Sequence, residues 1–369
     1  AIRTQLERTQ YLEHSVPLYL TSSFIFEDAE DMRASFAEEK ERNIYSRFSN
    51  PNTSEFVEKI CLMEGAEDGY AFATGMAAVY STFAALLNSG DHIVSASSVF
   101  GSTHTLFTKY FPKWNITTSY FDVNRPETIE NFIQPNTKIL YAESPTNPAV
   151  DILDLELLGK IAKKHNLIIL ADEIHADLVY ANTQHHTLSR LAFENAPAPS
   201  SIEAPHAIIT AVSPSKTFNI PGLGLSALII PDANYRRTIQ SHLTKIAVSV
   251  NNPFSMIAFE AAYRGGADWL SELMAYLQAT RDEAIAFIRA HIPKINTVCP
   301  EGTYLLWLDC RKLNLDDKAL ALFFVQEAKL GLSSGAVFGR GGKGFMRMNI
   351  GTPRVNVMKA LDRLKSALS

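Results

Sequence analysis

Cysteine is scarce in this chain: Cys61, Cys299 and Cys310 are the only three among 369 residues. Three scattered thiols exclude a disulfide framework and a cysteine-rich zinc cluster, and they suit a reducing compartment. An excess of one charge is also missing. Lys and Arg number 34 against 39 Asp and Glu, for a formal net charge of -5. The clustered positive charge that nucleic-acid binding needs is not there. No apolar run approaches the roughly 18 residues of a membrane span. The start, Ala1-Ile2-Arg3-Thr4-Gln5, lacks the apolar segment of a signal peptide. Repeats and low-complexity tracts are absent. The expectation is a soluble, cytoplasmic protein with neither nucleic acid nor membrane as partner.

What is present is apolar material, 46% of residues, enough for a large core and two domains. Residues 1–50 lack clean periodicity and read as an N-terminal arm. Residues 51–245 read as a large domain and 246–369 as a small one. From Pro51 helix and strand patterns alternate. Helices are expected over 54–65, 75–87, 103–110, 127–133 and 155–165. Strands are expected over 70–73, 92–96, 117–121, 138–142, 167–171, 207–212 and 225–230. Apolar strand runs alternating with helices predict an α/β fold with a mostly parallel sheet covered on both faces. Residues 196–201, Ala-Pro-Ala-Pro-Ser-Ser, read as a surface loop. Further on, a long helix over 269–291, strands over 304–308 and 344–350 and a helix over 318–329 suggest a small α+β domain.

In open α/β sheets, ligands bind beyond the carboxyl ends of the strands. Four loops meet that description. In Ser213-Pro214-Ser215-Lys216, a lysine stands between two apolar strand runs. A buried charge is costly, whereas a lysine held as an imine on an aldehyde cofactor has a reason to be there. The alternative is an exposed lysine at a strand end. In Ala73-Thr74-Gly75-Met76, a strand turns directly into a helix, whose free N–H groups and dipole suit a phosphate. An ordinary turn is the alternative. In Glu143-Ser144-Pro145-Thr146-Asn147-Pro148, Asn147 can donate to an anionic oxygen. In Asp172-Glu173-Ile174-His175, a strand-end carboxylate can pair with a protonated ring nitrogen. Together these parts fit pyridoxal 5'-phosphate, with Lys216 as its covalent anchor and Asp172 facing the pyridine nitrogen. Gly75, Met76, Ser213 and Ser215 would hold its phosphate, and Phe100 could stack on the ring.

Competing motifs fail on context. Ser213-x-x-Lys216 has the spacing of an acyl-serine enzyme, but the chain has no Lys-Thr-Gly. Gly222-x-Gly224-x-x-Ala227 has dinucleotide spacing but runs into a strand. Gly339-Arg340-Gly341-Gly342-Lys343 has the look of a phosphate loop, but Gly344 stands where Ser or Thr is required. His185-His186 reads as a solvated pair, with no carboxylate or cysteine at metal-ligand spacing. No metal is expected.

These residues resemble fold-type I pyridoxal-phosphate enzymes over nearly the whole chain, in two pieces. Residues 1 to about 170 resemble the cystathionine γ-synthase and O-acylhomoserine sulfhydrylase family. The matching stretches begin at Tyr45-Ser46-Arg47, Ala73-Thr74-Gly75, Val99-Phe100-Gly101 and Glu143-Ser144-Pro145. From about Asp172 the chain resembles the aminotransferase-like C–S β-lyases, through Asp172-Glu173-Ile174-His175, Ser213-Pro214-Ser215-Lys216, Asn252-Pro253-Phe254 and Phe345-Met346-Arg347. A chain joined from two branches near 169–172, natural or engineered, would look like this.

The resemblance implies a seven-stranded-type sheet and a PLP-dependent carbon–sulfur lyase of sulfur amino-acid metabolism, acting on L-cystathionine or cysteine S-conjugates. The products would be thiol, pyruvate and ammonia. γ-Replacement on an O-acylhomoserine is the alternative, transamination a third, and a fused chain that binds cofactor without turnover a fourth. The resemblance also gives roles. Lys216 is the catalytic lysine, Asn147 and His175 face the ring hydroxyl, and Arg347 clamps the substrate carboxylate. Tyr45 and Arg47 reach a neighbour's phosphate, which implies a homodimer or homotetramer with shared active sites. Two departures stand out. Gly224 occupies the place where many aminotransferases have a phosphate-binding arginine. Phe100 stands where the γ-family often has tyrosine.

Overall fold

Short polar side chains set where the helices begin. In the computed structural model, which describes residues 9–12, 16–37, 39–150, 153–188, 208–246 and 252–369, Asp28 caps α1 (Ala29–Phe36) by accepting from Asp31 N–H. Asn50 caps α2 (Pro51–Glu64), which starts on a proline and ends at Gly65 with φ 64°. Strand β1 (Gly69–Phe72) leads to α3 (Gly75–Leu86), capped by Thr74, whose side chain accepts from Ala77 N–H. Then follow β2 (His92–Ala96), the short α4 (Gly101–Thr105), β3 (Thr117–Phe121), β4 (Thr137–Glu143), α5 (Leu155–His165) and β5 (Ile168–Asp172). The chain continues through β6 (Ile208–Val212), β7 (Ser226–Ile229), α6 (Ala233–Ile246), α7 (Pro253–Gly265) and α8 (Ala267–His291). It closes with β8 (Asn296–Thr297), β9 (Leu305–Asp309), α9 (Asp317–Gln326), β10 (Ser333–Ser334), β11 (Phe345–Asn349) and α10 (Arg354–Leu368).

Several expectations need correction. The helix expected over 103–110 is one α-turn followed by a π-helical turn, Leu106–Tyr110. The helix expected over 127–133 is a 3-10 helix, Pro126–Phe132. The N-terminal arm contains α1, and α10 carries a stripe at Val357, Leu361 and Leu364 that the sequence reading did not assign. The surface loop expected at 196–201 lies outside the described residues.

The chain divides into two compact units, Ala1–Asn88 with His206–Ala267, and Ser89–Pro205 with Asp268–Ser369. In the first unit β7 runs antiparallel to both β1 and β6, with Phe72 opposite Ser226 and Val212 opposite Ala227. The residues after β1 and those after β6 therefore leave the sheet at the same end. Phe72, Ala227, Leu228 and Ile229 are buried there.

In the second unit β3, β2, β4 and β5 are parallel neighbours in that order. Their residues Ile93, Val94, Ile139, Leu140 and Leu170 are fully buried, the near-continuous apolar pattern of strands covered on both faces. The same unit holds a second sheet, β10-β11-β9-β8, antiparallel throughout. Leu306, Leu308, Met346 and Met348 of that sheet pack with Ile285 and Ile288 of α8, Phe324 of α9 and Leu361 of α10. Each such side chain contributes about 1.5–3 kcal/mol on burial. This is the α+β layer expected near the C-terminus. Cys61, Cys299 and Cys310 are free thiols. No described helix is long and apolar enough to cross a membrane.

Candidate active site

The lysine loop is a turn tied to its own strands. Ser213 Oγ donates to the Leu225 carbonyl at 2.7 Å and accepts from Ser215 N–H at 3.3 Å. Phe218 N–H reaches Pro214 O and Ile220 N–H reaches Ser215 O. Lys216 sits half-buried at the apex, followed by fully buried Thr217. The Ser213 hydroxyl is thus engaged in shaping the loop, with its proton on Leu225, while Ser215 is half-buried. Because β1 and β6 flank β7, the Ala73–Met76 turn comes to the same edge as Lys216. Gly75 and Met76 occupy the first turn of α3, where N–H groups point out of the helix.

Gly224 explains its own identity. Its φ is +45°, and a Cβ there would lie 2.7 Å from the Ala73 carbonyl oxygen. The arginine that many aminotransferases carry at this point in the loop has no room here. The same tight approach packs the lysine loop against the β1–α3 turn.

In the arm, Tyr45 makes a single bridge to Ser23, and Ser46 Oγ donates to Thr21 O at 2.6 Å. The Arg47 guanidinium lies 4.7 Å from the Tyr45 ring centroid and is exposed.

In the second unit, five of the expected residues converge on the carboxyl ends of the parallel strands. The register sets Glu143 of β4 opposite Asp172 of β5. Glu143 Oε1 accepts from Phe100 N–H at 2.8 Å and from the Tyr141 hydroxyl at 3.1 Å. Burial, and then the charge of Asp172, push the Glu143 carboxyl well above the usual carboxylate range. Through its bond to Phe100 N–H, Glu143 also fixes the start of the Phe100 segment. The sequence reading missed this residue, since only strand register reveals it. Asp172 Oδ1 accepts from Ile174 N–H at 3.2 Å.

Asn147 is buried, and its Oδ1 accepts from Arg347 Nη1 at 2.8 Å. Arginine can only donate, so the amide oxygen must face it and the NH₂ group is left as the donor. Arg347 lies on β11, 4.6 Å from the Phe338 ring centroid, with Ser333 Oγ at 3.5 Å. Burial draws its guanidinium below the usual arginine value. His175 is buried with its ring edge-on to Tyr304 at 6.0 Å.

The His185-His186 reading also changes. His185 Nε2 lies 3.1 Å from Glu173 Oε2, and Glu173 also accepts from Thr187 Oγ1 and Leu188 N–H. A carboxylate therefore does join this pair. Among the described residues, no group of three or more His, Cys, Asp or Glu is placed to hold a metal ion.

Each unit by itself carries groups of the kind pyridoxal phosphate uses. The first has the Lys216 amine on the same edge as the opening turn of α3. The second has the Asp172 carboxylate at the end of β5 and the Asn147 amide, whose oxygen is taken by Arg347. An α/β fold with these residues at its strand ends defines the class, the fold-type I pyridoxal-phosphate enzymes.

The comparisons agree. The sequence model of the Cys/Met metabolism PLP-dependent enzymes matches residues 1–185, and the chain belongs to that family. It is 36% identical over 216 residues to cystathionine β-lyase PatB of Bacillus subtilis, covering 58% of this chain and 54% of that protein. It is 40% identical over 172 residues to the O-succinylhomoserine sulfhydrylase of Pseudomonas aeruginosa, covering 47% of this chain and 43% of that protein. The chain thus spans about half the length of these curated relatives. A PLP-bound protein of Clostridium difficile, solved by crystallography, superposes with a TM-score of 0.78 at 28% identity, covering 92% of this chain and 87% of that one. The resemblance to both the lyase and the sulfhydrylase branches holds.

Proposed function

We propose that the chain is a pyridoxal-phosphate-dependent C–S β-lyase that cleaves L-cystathionine or related cysteine S-conjugates to thiol, pyruvate and ammonia. The likeness to PatB over 58% of the chain carries this reading. Gly224 adds to it, because the closed space there denies the phosphate arginine of many aminotransferases. When bound, the cofactor supplies a protonated ring that accepts the electrons released at Cα.

The protein's own groups do the rest. Arg347 holds the α-carboxylate by charge-assisted bonds, oriented by Asn147. Lys216, as a free amine, takes the Cα proton and returns one to the departing sulfur. Asp172, opposite Glu143 in the strand register, faces the ring nitrogen. Phe100 presents a ring face without a hydroxyl, so it cannot act as acid or base.

γ-Replacement on an O-acylhomoserine is the second reading, favoured by the 40% identity to the sulfhydrylase. The enzyme is proposed to work in the cytoplasm as a homodimer or homotetramer. The arm leaves Arg47 and Phe48 exposed, as it does Leu20 and Ile25, which suits a second copy contributing to the site. Lys216→Ala tests the core of the reading. The purified variant should give no borohydride-fixed adduct on its peptide map and no pyruvate from L-cystathionine. Pyruvate formation by that variant removes Lys216 from the chemistry. Homocysteine from O-succinylhomoserine plus sulfide, with no pyruvate from cystathionine, selects the second reading.

A further inference from the structure

The second unit contains a cavity of about 1280 Å³ over the ends of β2 and β3. It is larger than the typical 300–1,000 Å³ of a small-molecule site, and much larger than the three-carbon part of the substrate requires. Its wall is aromatic: Trp307 stacks on Phe345 at 5.2 Å and 8°. The Arg311 guanidinium lies 4.9 Å from the Phe345 centroid. Asp309 holds that guanidinium through Nε at 2.9 Å and Nη2 at 2.7 Å. Five N–H groups on arginine, less those two, leave three for a ligand.

Lys343 and Arg125 also line the cavity, against Asp122 as the carboxylate of the lining. The glycine segment before Lys343, set aside as a phosphate loop, also lines the cavity. Gly339 has φ +101°, and a Cβ on Gly342 would lie 1.9 Å from the Gly335 carbonyl oxygen. Only glycine lets that backbone fold in just ahead of Lys343. The cavity begins where the carboxylate clamp ends, since Phe338, which Arg347 covers, and Pro148, next to Asn147, both line it.

We infer that this cavity receives the leaving group of the substrate and selects leaving groups that end in an anion, carboxylate or phosphate. The inference rests on the C–S lyase reading and on Arg347 as the clamp. The thioether chain lies along Trp307 and Phe345, and its anionic end meets Arg311 and Lys343. In the reaction the Cβ–S bond breaks, sulfur takes the electron pair and a proton, and Cα loses its proton. The thiol leaves through the cavity, and the enamine hydrolyses to pyruvate and ammonia. The two cations stabilise the tail without entering these steps.

The test compares S-(2-carboxyethyl)-L-cysteine with its terminal amide, using holoenzyme and pyruvate release. The acid should be preferred by tenfold or more in kcat/KM at low salt, with the preference shrinking as salt rises. Arg311→Gln combined with Lys343→Gln should bring the acid-to-amide ratio close to one. Equal use of acid and amide by the unaltered enzyme overturns the inference. A phosphonate-tailed conjugate used better than the acid identifies phosphate as the natural terminus. If neither conjugate yields pyruvate, the lyase reading has failed, and calorimetry decides the cavity separately. Tighter binding of 3-mercaptopropionate than of its amide, lost in the double variant, keeps the anion site; equal binding removes it.

Discussion

Arg347 donates from Nη1 to Oδ1 of Asn147 at 2.8 Å, across 200 residues of chain. The bond orients both groups. It fixes which way the amide points, and it gives a partly buried guanidinium an acceptor before any substrate arrives. A charged hydrogen bond contributes about 1.5–3 kcal/mol. Arg347→Ala should therefore lower kcat/KM for amino-acid substrates by roughly 10- to 100-fold, mainly through KM. Asn147→Ala should do less. The double variant should depart from additivity by about 0.5–3 kcal/mol. Steady-state kinetics on the four proteins measures this, and strict additivity would show that the two side chains act separately.

Gly224 makes a second, structural prediction. Its φ of +45° and the 2.7 Å approach of a hypothetical Cβ to Ala73 O act together. Gly224→Ala should destabilise by about 1–3 kcal/mol, read as a lower melting temperature, and should weaken cofactor retention because the β1–α3 turn must shift. Gly224→Arg should be worse and should not gain transaminase activity. An alanine variant that melts like the parent would contradict the packing described for this loop.

Glu173 is the third case. It is buried and accepts from Leu188 N–H at 2.9 Å and Thr187 Oγ1 at 3.0 Å, with His185 at 3.1 Å. Truncation to alanine strands these donors, at about 1–3 kcal/mol for each group left buried and unpaired. Glu173→Ala should lower the urea midpoint clearly, and Glu173→Gln much less. Zinc should not restore the alanine variant, because the group is a hydrogen-bonded anchor. Recovery with zinc would revive a metal role for the two histidines.

Much of this was readable beforehand, for definite reasons. β2, β3 and α5 fall where the apolar runs and polar breaks put them. α1 was missed because its buried residues are Asp31 and Ser35, so it has no apolar stripe to detect. α10 does have one, at Val357, Leu361 and Leu364 after Pro353, and its spacing was sufficient to assign it. The π-helical turn at Leu106–Tyr110 buries Phe107, and Phe111 follows it into the core. Apolar spacing over so few residues does not separate α from π. Asp172 at the end of β5 and Asn147 in the loop after β4 stand where their position beyond apolar strand runs puts them. Glu143 and the Arg347–Asn147 bond were not legible that way, because strand register and contacts across 200 residues are properties of the folded chain.

The Glu143–Asp172 pair gives the last prediction, which concerns pH. An unfolded glutamate titrates near 4.3, whereas burial and the facing Asp172 hold folded Glu143 well above that range. Below the unfolded value, both states carry the proton and nothing is lost. As pH rises past it, the unfolded chain releases its proton while the folded chain keeps it. Folding stability therefore falls with pH until the folded group titrates, with a slope of at most about 1.4 kcal/mol per pH unit for one proton. Glu143→Gln removes that slope yet keeps an oxygen for Phe100 N–H and the Tyr141 hydroxyl. The variant should gain stability relative to the parent as pH rises from acid toward neutral, and converge with it below the unfolded value. Melting curves of both proteins across that range decide the matter. A difference that does not change with pH would mean that Glu143 titrates alike in the two states.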